Sequence, residues 1–296
     1  MKTKHKPLFA FFGTPRFATR VLDALEANDL VPALIVCAPD VRRDRGLELT
    51  PAPAKVWALE RGIDVLTPTT LKDESFIAGL QNTDWDIFVV AAYAKLIPKK
   101  ILEIPRKGCL NVHPSLLPKF RGPSPGLSAI LADERSTGVS IMLMDELMDH
   151  GPIVAQATIE LEEEMPGSPE GGWPPKGSLF EDLLATEGGN LLAEAMGPWI
   201  AGEITPEPQD ESKATYTKKF TDEDSLIDLQ GDPREQLLKI RAFDKNPRAH
   251  FFINNKRIII TEAGLMEGKL QILKVIPEGK KEIDFTLFSA NPSNTL

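Results

Sequence analysis

The sequence predicts an α/β fold, a doubly wound and mostly parallel sheet, followed by a small, mostly β second domain. Three observations carry that prediction. Five short apolar runs recur in the first half of the chain, at Leu8–Phe12, Ala33–Cys37, Ile87–Ala92, Cys109–Val112 and Val139–Met144. Helix-length stretches separate them. A Pro206-Glu207-Pro208 linker then precedes short strand-like segments. The expected division is a first domain over 1–206, linker included, and a second over 207–296.

Each element has its own warrant. Continuous apolar runs bounded by turn residues suit strands buried on both faces, as in a parallel sheet covered by helices. Arg16 to Asn28 sets Phe17, Val21, Ala24 and Leu25 on one helical face, and Ala54 to Arg61 pairs Val56 with Leu59. Pro166, Gly167, Pro169, Gly171, Gly172, Pro174 and Pro175 make a loop. Ser178 is positioned as the N-cap of a helix running through Leu183, Leu184, Leu191, Leu192 and Met196. Beyond the linker, Arg257–Thr261, Leu270–Val275 and Ile283–Phe288 read as strands and Pro233 to Arg241 as a helix.

Composition narrows the class. The chain has 296 residues, 42% hydrophobic and 26% charged, in the range of folded globular proteins. No apolar run approaches the ~18 residues of a membrane helix, and Leu8–Phe12 is too short for a secretory h-region. Cys37 and Cys109 each sit inside an apolar run and read as buried thiols. A cytoplasmic protein without a membrane partner is the expectation. The net charge is −9, of which residues 207–296 carry −1 and residues 1–206 carry −8. A polyanionic partner must therefore use local basic patches.

Ligands of doubly wound sheets gather at the carboxyl ends of the strands. Gly13-Thr14-Pro15 follows the first strand, but Pro15 and Phe17 break any G-x-G-x-x-G, which disfavours a nicotinamide enzyme. In a strand, residues two apart share a side, so Asn111 and His113 project together. An amide donor beside an imidazole can stabilise negative charge growing on a carbonyl oxygen during acyl transfer. Spacing alone fits equally a histidine satisfied at a strand end. Asp149 lies in the turn Asp149-His150-Gly151-Pro152. If that turn folds back over the sheet its carboxylate reaches His113 and fixes its tautomer; otherwise it is solvated. The four histidines and two cysteines show no metal-ligand spacing, so no metal is expected.

Asn111-Val112-His113 with Ser115-Leu116-Leu117-Pro118 and Arg121-Gly122 resembles the signature of the folate-dependent formyltransferase family, and Asp149-x-Gly resembles its second motif. Phe12-Gly13-Thr14-Pro15-x-Phe17-Ala18, Ala92-Tyr93-Ala94-Lys95-Leu96-Ile97-Pro98, Pro208 to Tyr216 and Arg241-Ala242-Phe243 extend the likeness collinearly over 8–285. They point to the family's tRNA-directed branch. The resemblance implies a Rossmann-like catalytic domain and an OB-like barrel. It implies a formyl group passing from 10-formyltetrahydrofolate to the α-amine of methionine on initiator tRNA, in translation initiation. Asn111, His113 and Asp149 would be catalytic. The main chain at Ala91, Ala92, Tyr93 and Ala94 and the loop Ser115, Leu116, Leu117 and Pro118 would hold the pterin. Arg42, Arg43, Arg45, Lys218, Lys219, Lys256 and Arg257 would meet tRNA, in a monomeric enzyme.

The chain departs from the pattern in three places. Val41-Arg42 replaces Arg-Pro in the loop Pro39 to Gly46, which in the family enters the acceptor stem. Ala94 stands where Gly is usual. Only a brief bridge joins Ala263 to Leu270, so the expected barrel is trimmed. The same core also suits a sugar-nucleotide N-formyltransferase using the same donor, or a silent tRNA-binding module. The arginine loop favours the tRNA enzyme over the first, and the intact Asn111, His113 and Asp149 speak against the second.

Overall fold

The computed structural model describes residues 6–43, 48–161 and 174–291. Arg45 and most of the Pro/Gly loop lie outside the described residues. In chain order the elements are β1 (Phe9–Gly13), α1 (Arg16–Ala27), β2 (Leu34–Val36), β3 (Val41–Arg43), β4 (Glu48–Thr50), α2 (Pro53–Glu60), β5 (Asp64–Leu66), α3 (Glu74–Gln81), β6 (Ile87–Ala91), α4 (Lys99–Leu102), β7 (Cys109–His113), α5 (Pro125–Leu131), β8 (Ser136–Leu143), β9 (Ile153–Glu160) and α6 (Gly177–Ala201). They continue with α7 (Pro233–Ala242), β10 (His250–Ile253), β11 (Lys256–Met266), β12 (Lys269–Pro277), β13 (Ile283–Asp284) and α8 (Phe285–Ser289).

One sheet has seven strands in the order β5-β2-β1-β6-β7-β8-β9. The first five are parallel, and β8 pairs antiparallel with β7. The mostly parallel, helix-covered sheet is the one the apolar runs predict. Its two faces are separate cores, and the strands alternate between them with period two. Phe9 and Phe11 lie with Val21, Leu25, Trp57, Val89, Leu110, Val112, Leu192 and Met196. Ala10 and Phe12 lie with Leu80, Trp85, Phe88, Val90, Ile101 and Cys109. Both faces of β1 and β6 are dry, which is why their sequences are unbroken apolar runs. Each fully buried Phe there contributes about 1.5–3 kcal/mol of burial energy.

Strand order reverses between β1 and β6, and ligands of such sheets gather outside the carboxyl ends of the strands at that point. Gly13 ends β1 opposite Ala91 of β6. A Cβ on Gly13 would lie 2.5 Å from the Phe11 ring and 2.7 Å from both the Ala18 Cβ and the Ala91 carbonyl oxygen. Close packing therefore requires this glycine.

The chain folds as two compact units. One comprises Met1–Gly122, Gly138–Ile159 and Glu181–Tyr216, and the other Pro123–Thr137, Glu160–Phe180 and Thr217–Leu296. Residues 207–216, read from sequence as the start of the second domain, belong to the first unit. Their hydrogen bonds to the 118–121 loop give the reason. In the second unit β10-β11-β12-β13 form a four-stranded antiparallel sheet, on which α7 packs. The brief bridge of the sequence is strand plus a tight turn, with positive φ at Glu267 and Gly268. Three local expectations change. Ile283–Phe288 is strand for two residues only and then helix α8. Ser178 lies inside α6, where its backbone N–H donates to Asp244 Oδ1 at 2.9 Å. Arg42 and Arg43 lie in strand β3, which pairs antiparallel with β4. None of the described helices is long and apolar enough to cross a membrane.

Candidate active site

Strand β7 runs Cys-Leu-Asn-Val-His, with Leu110 and Val112 in one core and Cys109 in the other. Alternation turns Asn111 and His113 to the side of Cys109, where Phe12, Val90, Tyr93 and Met144 also lie. Asn111 is 9% exposed, and its carboxamide makes no hydrogen bond among the described residues. A nearly buried amide without a protein partner is costly unless a ligand or water meets it.

His113 is 4% exposed. Its Nε2–H donates to the Phe120 carbonyl at 3.0 Å, which leaves Nδ1 facing Asp149 Oδ1 at 3.7 Å. That span exceeds a hydrogen bond, as spans between catalytic partners often do before substrate tightens them. Asp149 Oδ2 accepts from the Gly122 N–H at 2.7 Å. The turn thus does fold back over the sheet, with Asp149 at φ 49°. Gly151 permits it, since a Cβ there would lie 1.8 Å from the Leu143 carbonyl oxygen. Sequence reading expects these three residues at one place, and the geometry brings His113 and Asp149 within ion-pair distance.

The folate candidates fall into two groups. Ala91 is buried as the last residue of β6, Ala92 and Ala94 are exposed, and Tyr93 is half-buried. The backbone of Ala92, Tyr93 and Ala94 makes no hydrogen bond among the described residues, so its donors and acceptors are free just past the carboxyl end of β6. The Tyr93 hydroxyl is buried without a partner, and burial, reinforced by nearby Cys37, pushes its pKa up to about 12. In the second group, Ser115 and Leu117 are interior, with Ser115 Oγ donating to the Lys119 carbonyl at 2.7 Å. Their neighbours Leu116 and Pro118 are half-buried, and the Leu117–Pro118 peptide is cis. Ser115 and Leu117 hold this wall in place, and Leu116 and Pro118 offer it outward.

Sequence reasoning missed the residues that hold the 120–122 loop. Arg121 is 1% exposed. It donates to Gln209 Oε1 at 3.0 and 2.8 Å, to Glu211 at 3.0 and 2.6 Å and to the Tyr216 hydroxyl at 3.2 Å. These bonds hold its guanidinium charged and keep the Glu211 carboxyl below its ordinary range. Arg121-Gly122 is visible as a motif, but partners 88 to 95 residues away leave no local signal.

The cations proposed for tRNA differ in availability. Arg42 and Arg43 lie on β3, opposite Leu49 and Glu48. Lys218 pairs with Asp224, and Arg257 donates to Asp222 at 2.6 and 2.7 Å. Lys219 and Lys256 are exposed and unpaired among the described residues. No group of three or more His, Cys, Asp or Glu that could hold a metal occurs among the described residues.

Comparison with known proteins places this architecture. The formyl transferase family model matches residues 5–166, more than half of the chain. A methionyl-tRNA formyltransferase of Chloroflexus aggregans is 41% identical over 260 residues, covering 86% of this chain and 79% of its own. The solved methionyl-tRNA formyltransferase from Clostridium thermocellum shares the fold at TM-score 0.57 and 17% identity, over 94% of this chain and 99% of that one. An N-formyltransferase from Helicobacter canadensis, solved with folinic acid and dTDP-3-aminofucose, does so at TM-score 0.61 and 17% identity, over 93% and 98%.

Proposed function

The chain belongs to the formyl transferase family and, within it, to the methionyl-tRNA formyltransferases; from that premise we propose how its own residues carry out the reaction. It is a folate-dependent formyltransferase that acts on methionyl-tRNA in translation initiation. We take the donor to be 10-formyltetrahydrofolate, which supplies an activated formyl group when bound.

The observation that carries the proposal is the unpaired Asn111 carboxamide beside His113, with Asp149 behind the imidazole. As the methionyl amine attacks the formyl carbon, the formyl oxygen takes up negative charge. Asn111 Nδ2–H donates to that oxygen, while His113, with its Nε2–H on the Phe120 carbonyl, keeps its Nδ1 lone pair toward Asp149 as a proton relay beside it. The attacking nitrogen must lose a proton, and Asp149 accepts it directly or through water. When the bond from the formyl carbon to the donor nitrogen breaks, the electron pair returns to that nitrogen, which takes up the proton held by Asp149, directly or through water. The Phe120 carbonyl on Nε2 keeps the ring in one orientation throughout.

The pterin would lie at the carboxyl ends of β1 and β6. The unpaired main chain at Ala92, Tyr93 and Ala94, just past Ala91 at the end of β6, would offer donors and acceptors to a flat polar heterocycle, and the wall of Ser115, Leu116, Leu117 and Pro118 would offer apolar surface. On the tRNA side, Arg42, Arg43 and Arg45 would approach the acceptor stem, and Lys218, Lys219, Lys256 and Arg257 the phosphate backbone. In this reading the second unit is a trimmed OB-like barrel, and the enzyme is a cytoplasmic monomer. The 41% identity to a tRNA enzyme favours this acceptor over an amino-sugar nucleotide. Incubation with labelled formyl donor and either methionyl-tRNA or a 4-amino-sugar nucleotide tests it. Label on the tRNA is expected, and label on the sugar alone would refute the assignment.

A further inference from the structure

We propose that Gln209 is a positioning residue for the acyl-transfer centre, joining the Asp149 turn to the loop that holds His113. The inference rests on the reading of Asn111, His113 and Asp149 as that centre. Asp149 and His113 are held by two segments far apart in sequence. Asp149 sits in a turn with positive φ, a conformation that costs free energy unless its surroundings enforce it. His113 takes its orientation from the Phe120 carbonyl, in a loop where Phe120 and Gly122 also have positive φ, 59° and 112°.

Gln209 spends its whole carboxamide between these two segments. Nε2 donates to the Asp149 carbonyl at 2.9 Å and to the Gly151 carbonyl at 2.7 Å. Oε1 accepts from Arg121 Nε at 3.0 Å and Nη2 at 2.8 Å. Both amide hydrogens and both lone pairs are used, so no other residue type of this length satisfies all four partners. A glutamate would keep the Arg121 bonds but set a carboxylate oxygen against two carbonyls. The main chain around Gln209 completes the strap. Phe120 N–H donates to Thr215 Oγ1 at 2.8 Å, Arg121 N–H donates to the Thr215 carbonyl at 2.8 Å, and Ile153 and Glu207 exchange hydrogen bonds at 2.7 and 2.8 Å.

A span of 3.7 Å between His113 and Asp149 tolerates little further loosening. Misplacement of a catalytic group by about 1 Å costs up to ~100-fold in rate. The test is a double-mutant cycle on the full-length protein, with Gln209→Ala, Asp149→Asn and the pair, reading kcat, folate KM and melting temperature. Gln209→Ala is expected to lower kcat by about 10- to 100-fold with folate KM within about twofold. In the Asp149→Asn background the same change should cost less than about twofold, because the group it positions is already lost. Unchanged kcat, or the same fractional loss in both backgrounds, would overturn the proposal. Should Gln209→Ala lose its melting transition, Gln209→Glu, which retains the acceptor for Arg121, carries the same comparison. Wild-type kcat in Asp149→Asn alone would instead refute the site on which the inference rests.

Discussion

Arg121 and Glu211, 90 residues apart in sequence, form a two-pronged ion pair in which the arginine is enclosed and the glutamate half exposed. The arginine is the buried partner, so it cannot lose the carboxylate without losing its main compensation. Its other partners, Gln209 and Tyr216, are neutral. This pair fastens 207–216 to the loop carrying the Phe120 carbonyl.

Its pH dependence has a definite sign. Arg121 holds the Glu211 carboxyl below its ordinary value of 4.5. A carboxyl depressed in the folded state stabilises at pH values above its ordinary pKa, and that stabilisation disappears as pH falls through the lowered value. Glu211→Gln should therefore melt below the wild type at pH 7, and the gap should narrow as pH falls below the ordinary value of 4.5. A gap that persists undiminished at pH 3 would show the pair to be irrelevant to stability.

The thiols make a second prediction. Burial pushes Cys37 up to about 11, and it pushes Cys109 up further. Neither forms thiolate readily near pH 8, and both side chains are enclosed. Mass spectrometry after brief iodoacetamide treatment should find no labelled cysteine in the native protein and two in denaturant. Rapid native labelling of either would contradict the burial.

The basic residues of the second unit divide into bonded and free. Replacing Lys219 and Lys256 by Ala should leave the melting temperature unchanged and flatten the slope of log tRNA affinity against log salt by about one per lost phosphate contact. Arg257→Ala should instead lower the melting temperature, since it strands Asp222. An unaltered salt slope in the lysine double variant would remove these residues from the tRNA interface.

The three arginines of the Pro39 to Gly46 segment make a further prediction. Replacing Arg42, Arg43 and Arg45 together by Ala should raise the KM for methionyl-tRNA while folate binding, measured by fluorescence or calorimetry, is unchanged. Unchanged KM and turnover for the tRNA would make this segment a bystander.

What can be read from the sequence follows the range of the interactions. Strands β1, β6 and β7 are buried on both faces, so their apolar runs announce them, and the period of two alone places Asn111 beside His113. Helices α1 and α7 carry their own amphipathic or capping signals, with Asp232 Oδ1 accepting from the Glu235 N–H at 3.0 Å. Strand β9 is invisible because its exposed alternate residues, such as Gln156 and Thr158, break the apolar run. Ile283–Phe288 reads as a strand, yet from Phe285 on the chain folds as helix α8 against β12. Buried Arg121 shows the limit, since nothing near position 121 announces acceptors at 209, 211 and 216.

The central claim is that formyl transfer occurs at Asn111 and His113, and one measurement reaches it directly. The single-turnover rate of formylation of methionyl-tRNA, with saturating donor, is compared between wild type and Asn111→Ala and His113→Ala variants that melt at the wild-type temperature. The account predicts a loss of about two to three orders of magnitude in each, the usual cost of removing a donor to a developing oxyanion for Asn111 and an acid–base group for His113. A rate near wild type in either variant would contradict it.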